Sequence, residues 1–313
     1  MLLGVLGDLH LTNHRPVRRI DDYWQTQIEK FEQSLQIVKK CDVVIQVGDF
    51  FDSPYVANRV KATIIELIKK HLTNPIYCIF GQHDISGHSE LTFNNSPLAV
   101  LQAAGVVELL GSTVTLFPHD GEILHAFGAS FGQPIPEPED QAELNLLVTH
   151  QMIGDRPLYP GQELQAPKQF LIDNPGFQFI FCGDYHYRFQ QTYQKRLIVN
   201  PGALVRKSIS EWDLAHQPAV MLVDTKTRAV SEHLLNVCPT NKVFDLSRSE
   251  EKDTEILLQF IEALQAREGT AISWKEVLQD VLQKQVLQDP TTRTSIRKLV
   301  DEVFDQLEVQ GWK

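Results

Sequence analysis

The sequence predicts an α/β fold: a largely parallel sheet with covering helices, mixed strands joined to it, and a small, mainly helical C-terminal segment. Three observations carry this. Apolar strand-like runs alternate with helix-period segments in the first third of the chain. Hairpin signals appear in the middle, and strand signals fade beyond Cys238.

Leu2 to Leu6 is the first strand. A polar loop, Leu11 to Asp22, precedes a helix whose apolar positions Trp24, Ile28, Phe31, Leu35 and Val38 recur at steps of three and four. Val43 to Val47 repeats the strand, and Val60, Ile64, Leu67 and Ile68 mark the next helix. Ile76 to Phe80, Leu144 to Val148 and Phe179 to Cys182 are further buried strands. Val114 to Phe117 and Ile123 to Phe127 flank Asp120-Gly121, a strong hairpin signal. Ala219 to Val223 and Ala229 to Leu235 predict a second hairpin around Asp224 to Thr227. Pro134 to Asp140 and Gly154 to Pro167 are loops, the second long enough to border a site. Apolar stripes at Ile256 to Leu264 and Ile296 to Leu307 predict helices past a boundary near residue 240, giving domains 1–238 and 239–313.

The chain has 313 residues, 42% hydrophobic and 22% charged, with no apolar run near the ~18 residues that suggest a membrane span. Met1 to Leu6 is too short for a signal-peptide core. Four cysteines lie in or beside apolar runs without a CxxC pair, which predicts reduced core thiols and a cytoplasmic protein. The net charge of −11 argues against a surface coated in basic residues, though not against a local basic stripe.

The chemistry is concentrated in five clusters at strand ends: Gly7-Asp8-Leu9-His10, Gly48-Asp49-Phe50-Phe51-Asp52, Gly81-Gln82-His83-Asp84, Thr149-His150 and Gly183-Asp184-Tyr185-His186. Open α/β sheets keep ligand sites beyond the carboxyl ends of their strands. Carboxylate with imidazole suits Mn, Fe or Zn, and two ions so held activate a water and neutralise charge on a phosphoryl group. Asp49 is the natural bridging carboxylate. The glycines before Asp8, Asp49, His83 and Asp184 are expected to allow sharp turns there.

On these motifs, across about residues 1 to 238, the chain resembles the calcineurin-like metallophosphoesterases, with their D-x-H, G-D-x-x-D, G-N-H-D/E, later His and G-H-x-H. The resemblance implies two mixed sheets sandwiched between helices. It implies one metal on Asp8, His10, Asp49 and His186, and another on Asp49, Gln82, His150 and Asp184. His83 becomes the transition-state stabiliser or general acid, with Asp52 orienting it. Gln82 and Asp184 depart from the family's Asn and His. Both fall in one metal site, making it harder and more negative, which favours Mn²⁺ or Mg²⁺ over Zn²⁺. Two divalent ions are expected, Mn²⁺ first, with Fe²⁺ or Mg²⁺ as alternatives.

Within the family the chain is most similar to the SbcD-like branch, nuclease subunits of double-strand-break repair complexes. Asn200-Pro201-Gly202-Ala203-Leu204 followed by Arg206 adds to that likeness. Ser53-Pro54 stands where protein phosphatases of this fold carry Arg-Gly. This implies a DNA exonuclease with some single-strand endonuclease activity. The C-terminal segment then serves as a cap, docks an SbcC-like ATPase partner or packs within the chain, and a homodimer is a further implication. Arg15 and Arg188 are the candidate contacts to the DNA backbone, and His88, in a polar loop, a candidate for reaching a phosphate or leaving group. Tyr185 or Tyr187 offers a stacking surface. The rival readings are a small-molecule or cyclic-nucleotide phosphodiesterase and a metal-poor scaffold.

Overall fold

The computed structural model describes residues 1–138, 144–157, 162 and 164–246. The expected C-terminal helical stripes lie outside these residues. Among the described residues, twelve strands form two six-stranded sheets. In the first sheet lie β1 (Leu2–Leu6), β2 (Val43–Gln46), β3 (Ile76–Cys78), β4 (Val107–Leu109), β11 (Ala219–Asp224) and β12 (Val230–Leu234), in the order β12-β11-β1-β2-β3-β4. The second holds β5 (Thr115–His119), β6 (Glu122–Ala129), β7 (Asn145–His150), β8 (Phe179–Gly183), β9 (Phe189–Tyr193) and β10 (Arg196–Asn200), in the order β5-β6-β7-β8-β10-β9.

Each sheet has a parallel centre and antiparallel edges. β1 to β4 run parallel while β11 and β12 are added antiparallel. β6, β7, β8 and β10 run parallel, flanked by antiparallel β5 and β9. The sandwich of two mixed sheets between helices expected from the motifs is therefore present. Strand periodicity alone did not separate two sheets from one, because the central strands are apolar on both faces.

The layers follow from the two-residue period. Leu3 and Val5 of β1, Val43 and Ile45 of β2, and Phe179 and Phe181 of β8 meet between the sheets. Leu6 and Val44 face the other way, onto α1 (Tyr23–Val38), α2 (Asn58–His71) and α3 (Pro97–Ala103). Ile180 and Cys182 face α4 (Pro167–Asp173). Both hairpins form. Asp120 and Gly121 take φ of 49° and 85°, as a tight turn between β5 and β6 requires.

Helix α1 differs in detail from its apolar stripe. Its buried face is Tyr23, Gln27, Lys30, Phe31, Ser34, Leu35 and Val38, leaving Trp24 and Ile28 only half-buried. The rotation brings polar groups inward because they have partners. Gln27 accepts from Thr12 N and donates to Thr12 O, both at 3.0 Å, which ties the first loop to the helix. Lys30 donates to Asn236 O.

The first compact unit runs from Met1 to Asp245, seven residues past the expected boundary. Short helices α5 (Glu211–Ala215) and α6 (Thr240–Val243) belong to it. Val243 and Phe244 pack with Ile209, and Ile20 N donates to Val243 O. All four cysteines are free thiols, but Cys238 is exposed rather than in the core. Among the described residues no helix is long and apolar enough to cross a membrane.

Phe181 is fully buried between the sheets. Phe181→Ala should therefore cost about 3–5 kcal/mol, measured by denaturant unfolding.

Candidate metal centre

Five loops converge at the carboxyl ends of the parallel strands of both sheets. β1, β2 and β3 deliver Asp8, His10, Asp49, Asp52, Gln82 and His83; β7 and β8 deliver His150, Asp184 and His186. Asp8, His10, Asp49 and His150 are each at most 1% exposed, whereas His83 is 45% exposed. The cluster is thus buried on the sheet side and opens at His83.

Backbone geometry makes the convergence possible. His10, Asp49 and Asp184 adopt φ of 46°, 49° and 78°, in the left-handed region that side chains seldom occupy. Of the four glycines expected to turn the chain, only Gly48 has positive φ (99°). Gly81 serves close approach instead: a Cβ there would stand 2.1 Å from Asp49 Oδ1. The strain thus falls on the chemistry-bearing residues, and the glycines make room for them.

Asp49 is the centre. Its Oδ1 accepts the His83 backbone N–H at 2.9 Å. Its Oδ2 lies 3.4 Å from His150 Nε2, 3.7 Å from His10 Nε2 and 4.0 Å from His83 Nε2. On one side, His10 Nε2 and His186 Nε2 face each other at 3.0 Å. On the other, Asp184 Oδ1 is 4.0 Å from His150 Nε2 and accepts from Gln82 Nε2 at 2.8 Å. Asp184 N donates to Asp8 Oδ1 at 3.2 Å. The structure thus brings together Asp8, His10, Asp49, Gln82, His83, His150, Asp184 and His186. Gln82 and Asp184, the two departures from the family pattern, bond to each other.

The donors fit metal ions. Asp8 Oδ2, Asp49 Oδ2, Gln82 Oε1 and His150 Nε2 are buried without a well-formed hydrogen bond, a costly state for groups of this polarity unless a ligand completes them. His10, Asp49 and His83 also place one donor atom each within 4.8 Å of one another. An outer hydrogen bond sets the His150 ring, whose Nδ1 meets Val47 O at 2.8 Å so that Nε2 points inward. His10 Nδ1 lies 3.2 Å from Asp52 Oδ1 without a well-formed hydrogen bond. The donor set identifies no particular metal.

Crowded charge perturbs ionisation. Burial, with Asp49 and Asp184 nearby, pushes Asp8 up to about 8 against the pull of His150. Burial alone would lower His150, but Asp49, Asp8 and Asp184 raise it to about 10. Asp49 moves the other way: burial opposes ionisation, and His150, His10 and His83 hold it well below the usual carboxylate range. Burial and the nearby Lys207 charge lower His10, and burial, His10 and Lys207 lower His186.

Several expectations are revised. Asp52 contacts His10 and Lys207, making it a partner of the His10 ring rather than of His83. Arg188 Nη1 donates to Gln217 O at 2.6 Å and its Nε pairs with Glu232 at 3.0 Å, so its head is held by β12 and its neighbourhood. Arg15 is exposed on the first loop. Arg19 is buried, paired with Asp21 and bonded to Arg206 O. Tyr185 is buried with its hydroxyl on Arg156 O and its ring stacked on Tyr187. The side chain of His88 is outside those described, as is part of the loop from Gly154 to Pro167.

One residue at the centre carried no role of its own in the sequence reading, and the contact made by a second was not foreseen. Asp84 accepts from Gly81 N, Phe50 N and Phe51 N, tying the second and third loops together, and burial with Asp49 raises it to about 7. Its place directly after His83 was the only signal. Lys207 reaches Asp52 from the loop after β10, a long-range contact that spacing does not reveal.

A buried cluster of carboxylates and imidazoles suited to metal ions sits on this sandwich. Residues 1–188 match the calcineurin-like phosphoesterase family, and the chain belongs to it: a hydrolase of phosphoester bonds in a family that depends on a dinuclear metal centre. The chain is similar in fold to a novel archaeal phosphodiesterase (14% identity, TM-score 0.39, covering 75% of this chain and 100% of that one). It is also similar to the protein TT1561 of Thermus thermophilus (13%, TM-score 0.47, 75% and 99%). A putative 5'-nucleotidase from Staphylococcus aureus matches at 12% identity and TM-score 0.47, over 83% of this chain and 58% of that one. No curated protein matches the sequence.

His150 and Asp8 hold protons that a metal must displace. Manganese affinity should therefore rise with pH towards the values of about 8 and about 10 reached by these groups, and binding should release protons. Calorimetry in buffers of different ionisation enthalpy measures that release; its absence would contradict the assignment of these two side chains.

Proposed function

We propose that this phosphoesterase is a two-metal phosphodiesterase acting on DNA, of the SbcD-like kind. The supporting observation is the pair of groups that meet at Asp49: His10 with His186 on one side, His150 with Asp184 and Gln82 on the other, and Asp8 against His150 and Asp184. Two divalent ions bound there would activate a water and neutralise charge on the phosphoryl group. Manganese is the proposed native metal, since an anionic Asp184 and an amide oxygen make one subsite hard while imidazoles remain in both.

The protein's own part lies around that pair. His83 stands at the open edge, its backbone fixed by Asp49 Oδ1 and its ring half-exposed, where an incoming ester would meet it. It donates a proton to the departing sugar oxygen. Asp52 places its charge beside the His10 ring, Oδ1 lying 3.2 Å from Nδ1. Asp84 locks the second and third loops, so that Asp49 and His83 keep their separation.

The DNA part rests on the SbcD-like motifs, above all the Asn200 to Leu204 turn. That turn lies against the site: Leu204 N donates to Asp8 O at 2.8 Å and Ala203 N to His186 O at 3.2 Å. An ATPase partner and a homodimer belong to the same proposal. A small-molecule phosphodiesterase is favoured by one observation: Arg188, Arg19 and Arg206 all spend their charged heads on internal partners, which leaves less cationic surface for a polyanion.

Hydrolysis with Mn²⁺ of linear duplex DNA, single-stranded DNA and a small aryl phosphodiester distinguishes the readings. DNA should be cut, and His83→Ala should lower kcat by about 10²–10⁴-fold. Turnover of the small diester alone would overturn the nuclease proposal.

A further inference from the structure

The basic residues around the site sort by what holds them. Arg188 is held by Glu232 and a carbonyl, Arg19 by Asp21, and Arg206, 5% exposed, by Cys238 O and Thr240 Oγ1. Lys207 differs from these three. Its ammonium meets Asp52, whose same oxygen lies 3.2 Å from His10 Nδ1, so the cation stands one carboxylate away from the His10 ring. Its side chain is 27% exposed. An ammonium has three N–H donors, and Asp52 occupies one.

The stem of Lys207 is built to hold that position. Lys207 N donates to Asp213 Oδ1 at 3.2 Å and Ser208 N to Asp213 Oδ2 at 2.8 Å. Asp213 is buried in α5, which Ser210 caps. The backbone is thus pinned while the four-carbon arm and its head remain partly open to solvent.

Charge balance gives the head a task. Asp8, Asp49, Asp52 and Asp184 offset two divalent ions, so a monoanionic diester would find no net positive charge in that set. We propose that Lys207 is a phosphate-binding residue of the active site, donating to a nonbridging oxygen of the phosphodiester while keeping Asp52 as its anchor. This deepens the two-metal phosphodiesterase reading and rests on it.

The test uses the full chain as wild type, Lys207→Met and Lys207→Arg. Binding of labelled single-stranded DNA is followed by anisotropy against salt in Ca²⁺, and hydrolysis of an aryl phosphodiester is followed in Mn²⁺. Lys207→Met should reduce the slope of log affinity against log salt by about 0.7 and raise KM about tenfold, with a smaller change in kcat. Lys207→Arg should restore most of both. If slope and KM stay at wild-type values while manganese binding weakens in calorimetry, Lys207 only props Asp52 and the proposal falls. Should Lys207→Met melt early, Lys207→Arg judges the idea through inhibition by inorganic phosphate: a retained inhibition constant supports phosphate binding at this position, and a loss as large as that of DNA cleavage in His83→Ala contradicts it. A wild type that binds no DNA yet hydrolyses the aryl diester defeats the nuclease reading separately, and the KM comparison still decides Lys207.

Discussion

A carboxylate with almost no exposure, Asp49, is surrounded by three imidazoles and held by a single backbone N–H on its other oxygen. Burying that charge is costly unless something compensates it. Much of the site is organised around the compensation. The rings of His10, His83 and His150 turn their Nε2 atoms towards Asp49 Oδ2, and Val47 O keeps the His150 ring in that orientation. The left-handed backbone at His10, Asp49 and Asp184 costs of order 1–3 kcal/mol at each residue. The sandwich behind them bears that cost, because its central strands are buried on both faces and allow the loops little freedom to relax.

The two sheets contribute unequally. The first sheet brings Asp49 and the exposed His83, and the second brings His150, Asp184 and His186 from the far side. Gly81 and Gly183 keep the intervening distance short: a Cβ at Gly183 would meet Val47 O at 2.5 Å. The site therefore depends on the register between sheets, fixed by large side chains such as Phe179 and Phe181 at their interface.

Much of this was legible in the sequence. Apolar runs ending in Asp or His marked the strand ends, and the five clusters converge on one place. Short-range hairpin chemistry located β5 and β6. What escaped were contacts made at long range by residues of ordinary appearance. Lys207 and Asp52 lie 155 residues apart, and nothing in either neighbourhood marks the pair. Arg188 looked like a free cation beside a metal motif, but β12 supplies Glu232 to hold it. In α1 the apolar stripe was misleading because Gln27 and Lys30 are buried with hydrogen-bond partners that only tertiary structure provides.

The central claim is that Asp49 joins two metal ions. Anomalous diffraction at the manganese edge from crystals grown with Mn²⁺ tests it directly. The account predicts two peaks flanking Asp49 Oδ2, one beside His10 and His186 and the other beside His150, Gln82 and Asp184. A single peak, or ions bound without Asp49 between them, would contradict it.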